Sequence, residues 1–170
     1  MSLSMSSNLS PPPPDAALPT PTTLDKIAGD WVIRLTPASV AEPDIAPIRV
    51  LTSLEETGDV VAFLSPSSVL ADETRIYPRD AHGRWTVDAT GTVACRYGGF
   101  AYDDRGAHVG ELHMRVQATI DVRGELQGTY ERRDLNARGE LHRFRSGSVR
   151  GFRTRDILRA ASLEVETPRF

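Results

Sequence analysis

Three acid–histidine pairs stand two residues apart: Asp80 with His82, Glu111 with His113, and Glu140 with His142. On an extended strand, residues i and i+2 share one face. Each pair could therefore offer two ligands to a metal. None is joined by a second histidine or a cysteine at ligand spacing, so no metal site is expected. Cys95 is the only cysteine, which excludes an internal disulfide. It has no base beside it and reads as a small buried apolar residue. Tyr97 and Tyr130 stand out more, because both fall at apolar positions of alternating stretches. A phenol on an apolar wall can donate a hydrogen bond to a substrate carbonyl. No G-x-S-x-G, phosphate-binding loop or dinucleotide fingerprint stands at a strand-to-helix turn.

The element that must position these groups is the stretch Gly110 to Tyr130. Leu112, Met114, Val116, Ala118, Ile120 and Val122 alternate with polar Glu111, His113, Arg115, Gln117, Thr119 and Asp121. Period two marks a strand with one dry and one wet face. The dry face is expected inside, and His113, Arg115 and Gln117 outside. Asp121-Val122-Arg123-Gly124 turns the chain into a partner strand, Leu126 to Arg132, with Leu126 and Tyr130 inward. Asp134 to Gly139 is expected to form the next turn.

The rest of the chain repeats the pattern. Trp31, Ile33 and Leu35 mark a first strand after a helical turn at Thr23 to Ala28. Ile48–Leu54 and Val60–Leu64 flank a hairpin turn. Thr74–Tyr77 is a short strand, Asp80–Gly83 a turn, and Trp85–Val87 the start of another strand. Thr92–Tyr102 carries Gly98-Gly99, which suggests a bulge or bend. Leu141–Arg153 is the last long strand. The sum is an all-β chain of about eight strands, expected to close as an antiparallel up-and-down barrel.

Residues 1–22 are rich in Ser and Pro and read as a tail, or as a lid over a barrel mouth. Residues 23–155 form the barrel domain. Residues 156–170 form a C-terminal tail in which Asp156 to Ser162 could be a short helix. The net charge is −3 over 170 residues, with Lys26 the only lysine. The arginines of Glu131 to Arg155 are interrupted by acids, so they read as solvated strand faces in cross-strand ion pairs. Nucleic acid is not an expected partner. The N-terminus has no basic n-region and no apolar h-region, and no run is long enough for a membrane helix. A cytoplasmic monomer or homodimer away from membranes is expected.

Gly29-Asp30-Trp31 after a short helical turn resembles the G-x-W opening of lipocalins and other calycin barrels. In that family the tryptophan closes one end of the barrel and an arginine near the last strand packs across it. The resemblance implies this role for Trp31, with Arg150 or Arg153 as the arginine. The chain is similar to the broader group of bacterial lipocalin-like barrels, which includes the spirotetronate-forming [4+2] cyclases of polyketide biosynthesis. That likeness implies a hydrophobic small-molecule substrate, no cofactor, and a cyclisation driven by conformational templating.

Phe63, Trp85, Leu112, Met114, Val116, Leu126 and Phe144 are the expected substrate-binding wall. Tyr97 and Tyr130 are the expected catalytic donors. A non-catalytic carrier of a hydrophobic ligand is the alternative.

Overall fold

The computed structural model describes residues 26–38, 47–64, 68–69 and 75–157. Ten strands follow in chain order: β1 Gly29–Pro37, β2 Ile48–Leu54, β3 Asp59–Leu64, β4 Ser68–Val69, β5 Arg75–Pro78, β6 Ala81–Val87, β7 Val93–Tyr102, β8 His108–Ile120, β9 Leu126–Asn136 and β10 Leu141–Arg153. All pairings are antiparallel. Eight strands close into an up-and-down barrel in the order β1-β2-β3-β6-β7-β8-β9-β10, and β10 returns to β1. The short β4–β5 pair is an excursion attached to the end of β7 through Tyr77 and Pro78. The fold is consistent with a lipocalin-like barrel.

Alternation dictates which side chains go inside. On β8, Leu112, Met114, Val116 and Ala118 are buried, while His113, Arg115 and Gln117 are exposed. This matches the wet and dry faces expected from sequence. Val122 belongs to the turn and is fully exposed. Four hairpin turns share one device. Asp88, Asp103, Asp121 and Asn136 each accept hydrogen bonds from the amides two and four residues on. In each the glycine three residues on has a positive φ, where only glycine is free of strain.

Several expected boundaries move. Asp80–Gly83 is not a turn; Ala81 to Gly83 open β6. Gly83 lies against β7, where a Cβ would come within 1.9 Å of the Arg96 carbonyl oxygen. The glycine is there for strand contact, not for a turn. Gly98-Gly99 is no bulge either: both pair in register with His113 and Leu112, and the irregularity falls at Ala101/Tyr102. β9 runs on to Asn136, so Asp134 sits within the strand. At the C-terminus the helical residues begin at Thr154, before the expected start at Asp156, and the described residues end at Ile157. Residues 1–22 and most of the C-terminal tail lie outside the described residues. Among the described residues no helix is long and apolar enough to cross a membrane.

The two ends of the barrel differ. At one end the hairpins after β6 and β8 and the residues that precede β1 border a common pocket. Trp31 is fully buried there and donates from Nε1 to the Ile27 carbonyl at 2.9 Å. Arg153 places its guanidinium carbon 4.4 Å from the centre of the Trp31 ring and donates to the Ala28 and Lys26 carbonyls. Arg153 is thus the arginine that crosses the tryptophan. Arg150 faces outward, paired with Glu125 at 2.7 Å and stacked on Phe152. Trp85 seals the same end by donating from Nε1 to the Glu55 carbonyl at 2.7 Å. Arg153→Ala removes a cation–π contact and two carbonyl bonds together. It is expected to lower stability in urea titration by about 2–4 kcal/mol, with Arg153→Lys recovering part of the loss.

Candidate functional site

Strand registers stack the inward side chains into rows around the barrel. Nearest the closed end, Ile33, Val50 and Leu126 join the core with Trp31. Val93, Ala118 and Val149 follow. Next come Trp85, Cys95, Val116 and Tyr130, each opposite its neighbour. The row beyond holds Gly83, Tyr97, Met114, Arg132 and Arg145. The row nearest the open end brings Leu112, Asp134 and Arg143 together. The interior is therefore apolar at the closed end and polar toward the open one.

The polar part is enclosed. Tyr97 is 4 % exposed, Tyr130 2 % and Arg132 4 %. Arg132 Nε donates to Asp134 Oδ1 at 2.6 Å. An arginine–carboxylate pair inside a barrel satisfies the rule that buried charge must be paired. The hydroxyls of Tyr97 and Tyr130 are buried and have no hydrogen-bond partner among the described residues. Arg132 lies within electrostatic reach of both phenols. Burial pushes the Tyr97 phenol well above its ordinary range, and the Tyr130 phenol is also raised, mainly by desolvation. Both are therefore protonated donors at neutral pH rather than bases. Burial likewise pushes the Cys95 thiol up to about 12, so it is not a nucleophile.

The structure brings Tyr97, Tyr130, Leu112, Met114 and Val116 together on the inner wall. Trp85 is inside as well, in the row of Val116 and Tyr130, and Leu126 is inside in the row nearest the closed end. Phe63 and Phe144 are corrected: they are 45 % and 51 % exposed. Each falls one residue out of step with the inward set of its strand, so alternation sends it outside. Phe63 pairs with Leu51 on the outer surface, and Phe144 sits opposite Arg133. Of the acid–histidine pairs, His113 Nε2 and Glu111 Oε2 meet at 3.0 Å on the exposed face, and Glu111 and His142 also border the cavity at the open end.

Arg132 and Asp134 were missed. The sequence pattern alone puts Arg132 with its neighbours on a solvated face and Asp134 at the start of a turn. The signal was present: Leu126, Gly128 and Tyr130 set a period-two series whose next members are Arg132 and Asp134. With Leu112, Ala101 and His142 at the rim, this pair lines a cavity of about 130 Å³ at the open end. A pocket for a drug-sized ligand is usually about 300–1,000 Å³. This part of the interior therefore accommodates the polar end of a ligand and not the whole.

Asp134→Ala leaves a buried guanidinium without its counter-charge and is expected to cost about 3–5 kcal/mol. Tyr97→Phe removes an unpartnered buried hydroxyl without changing shape. The ligand-free protein is expected to keep its stability or gain about 1 kcal/mol in urea titration. Cys95, Tyr97 and Tyr130 all bind their protons more tightly folded than unfolded. Above the ordinary thiol range the unfolded chain then holds fewer protons than the native one, so stability falls as pH rises. The urea midpoint is expected to drop from pH 8 to pH 10.5, and less steeply in Cys95→Ala.

A closed eight-stranded barrel with a dry base and a polar-headed interior is thus established from geometry. No family model, curated protein or solved structure matches the chain.

Proposed function

We propose that the barrel binds a small, largely apolar molecule through its open end and turns an oxygen of that molecule toward Tyr97 and Tyr130. The observation that carries this reading is the pair of buried, unpartnered tyrosine hydroxyls. A buried donor without an acceptor costs about 1–3 kcal/mol. A ligand carbonyl that accepts from one or both recovers that cost. The apolar side chains beside them on the inner wall, Val116, Met114 and Leu112, suit the hydrocarbon part of the molecule.

The reaction that fits this arrangement is a cofactor-free intramolecular cyclisation of the [4+2] type, on a flexible polyketide-like chain. Two carbon–carbon σ bonds and one new π bond form from three π bonds, and no proton, electron or leaving group departs. Neither a base nor a nucleophile is then required, in keeping with phenols and a thiol held in their neutral forms. The wall confines diene and dienophile in a reactive fold. A tyrosine hydrogen bond to the dienophile carbonyl withdraws electron density where the transition state needs it. The second reading, a carrier, is favoured by the modest volume beside Arg132.

Binding is tested by fluorescence titration with N-phenyl-1-naphthylamine, a neutral apolar probe, and turnover with a linear triene bearing an enone. Wild type is expected to bind the probe saturably and to yield the cyclised product. The Tyr97→Phe/Tyr130→Phe variant should bind the probe equally well yet convert the triene at least about tenfold more slowly, about 1.4 kcal/mol of barrier. Binding without conversion by wild type leaves the carrier. Absence of probe binding removes both readings.

A further inference from the structure

We propose that the outer wall carries a second, independent site: a groove across β6, β7, β8 and β9 that takes a small molecule bearing a phosphate or pyrophosphate group. The registers that align the inner rows also align the outer ones. One outer row runs Asp59, Arg84, Arg96, Arg115, Glu131. The next runs His82, Gly98, His113, Arg133. Arg96 therefore stands directly opposite Arg115, with Arg133 one strand and one row away.

Like charges directly opposite on a sheet are destabilising. Here only Glu131, directly opposite Arg115, offsets them in part, and it forms no ion pair with any of the three. Asp59 is engaged by Arg84 at 2.7 Å, and Glu111 by His113 at 3.0 Å. Arg96, Arg115 and Arg133 form no ion pair among the described residues. Glu131 is the only carboxylate on the groove wall. The three guanidiniums leave a clear local excess of positive charge on a chain whose net charge is negative.

The surface is also concave where these charges meet. A groove of about 540 Å³ is bounded by His82, Arg96, His113, Arg115, Glu131 and Arg133, within the size range of small-molecule clefts, about 300–1,000 Å³. Gly98 provides its floor. A Cβ there would sit 3.2 Å from the Leu112 carbonyl oxygen and 3.7 Å from His113 Nδ1, so the imidazole leans over a notch left by the missing side chain. Guanidiniums on adjacent strands around such a notch can present forked donors to several oxygens at once, the geometry that phosphate groups accept. Tyr97 and Met114 of the inner wall also border the groove, but the guanidiniums that carry its charge have the opposite strand parity and stand on the outer face.

The test is calorimetric titration of the full chain with sodium pyrophosphate, at an ionic strength held constant with potassium chloride. Wild type is expected to bind one pyrophosphate per chain saturably. Arg96→Gln/Arg115→Gln should weaken binding at least about tenfold while the near-ultraviolet spectrum of Trp31 and Trp85 stays unchanged. In the ligand-free state at low salt, the same variant should melt above wild type, because the arginine repulsion is relieved. If it fails to fold, Arg96→Lys/Arg115→Lys keeps the charge but loses the forks, and is expected to bind several-fold more weakly. Absence of saturable heat, heat reproduced by chloride alone, or unchanged affinity in the variant that folds overturns the proposal. The neutral probe for the interior should bind wild type and this variant alike, so the two sites fail or stand separately.

Discussion

Everything enclosed by this barrel depends on the seam between its first and last strands. A meander of sequential hairpins is only a curled sheet until β10 pairs with β1, residue for residue from Trp31 with Arg153 to Pro37 with Gly147. This pairing joins residues more than a hundred positions apart, so its loop-closure cost is the largest in the fold. The chain offsets that cost at both ends of the seam. At the closed end the Arg153 guanidinium lies over the Trp31 indole and grips carbonyls just upstream of β1. Toward the open end Gly147 lets the strands approach: a Cβ there would meet the Thr36 carbonyl oxygen at 2.1 Å. Closure removes the exposed sheet edges and converts an amphipathic ribbon into an inside and an outside.

Once closed, the interior imposes its own rule on polar groups. Water no longer screens Arg132, so its charge must be met from within, and Asp134 meets it two residues along the same strand. Both side chains point inward because alternation leaves no choice, and the pair fixes the orientation of the guanidinium beside the tyrosines. The phenols are governed by the same rule but are not satisfied by it. Their hydroxyls are the interior's unfilled hydrogen bonds, which is why the functional reading is centred on them rather than on the apolar wall. Thr52, buried on β2 without a partner for its hydroxyl, shows that such vacancies are not confined to the tyrosines. It stands apart from the Tyr97–Arg132 row, in register with Trp31, and so has no part in that reading.

Much of this was legible in the sequence, because period two is a strong signal where a strand is long. The dry and wet faces of β8, the inward tyrosines, the hairpin between Leu54 and Val60, the turns at Gly124 and Gly139, and the G-x-W end were all readable. What failed was punctuation. Gly83 and Gly98-Gly99 carry the residue type of turns and bulges, yet they serve close strand contact and a smooth register; glycine's two uses look alike in one dimension. Asp134 was read as a turn former because aspartate usually is one, although the series before it pointed inside. Phe63 and Phe144 were assigned by hydrophobicity alone, and strand parity overrode it. The arginine that crosses Trp31 was narrowed to two candidates three residues apart. Opposite parity separates them, so only the register could choose.

Parity is also what keeps the two charged regions chemically distinct. Arg132 and Arg133 are neighbours in the chain, yet one lies in a dry interior against a carboxylate and the other on a wet wall among unpaired guanidiniums. A slip of one residue in β9 would exchange them, carrying Tyr130, Arg132 and Asp134 to solvent and Glu131 and Arg133 inside. The register is therefore the quantity that the local devices must protect. Asp121 and Asn136 pin both ends of β9 through their turn amides. Gly128 pins its middle, since a side chain there would meet the Gln117 carbonyl oxygen at 2.0 Å, and a one-residue slip would place Gln127 or Thr129 at that contact. Steric exclusion at one glycine and hydrogen bonding at two turns thus decide which arginine faces which partner.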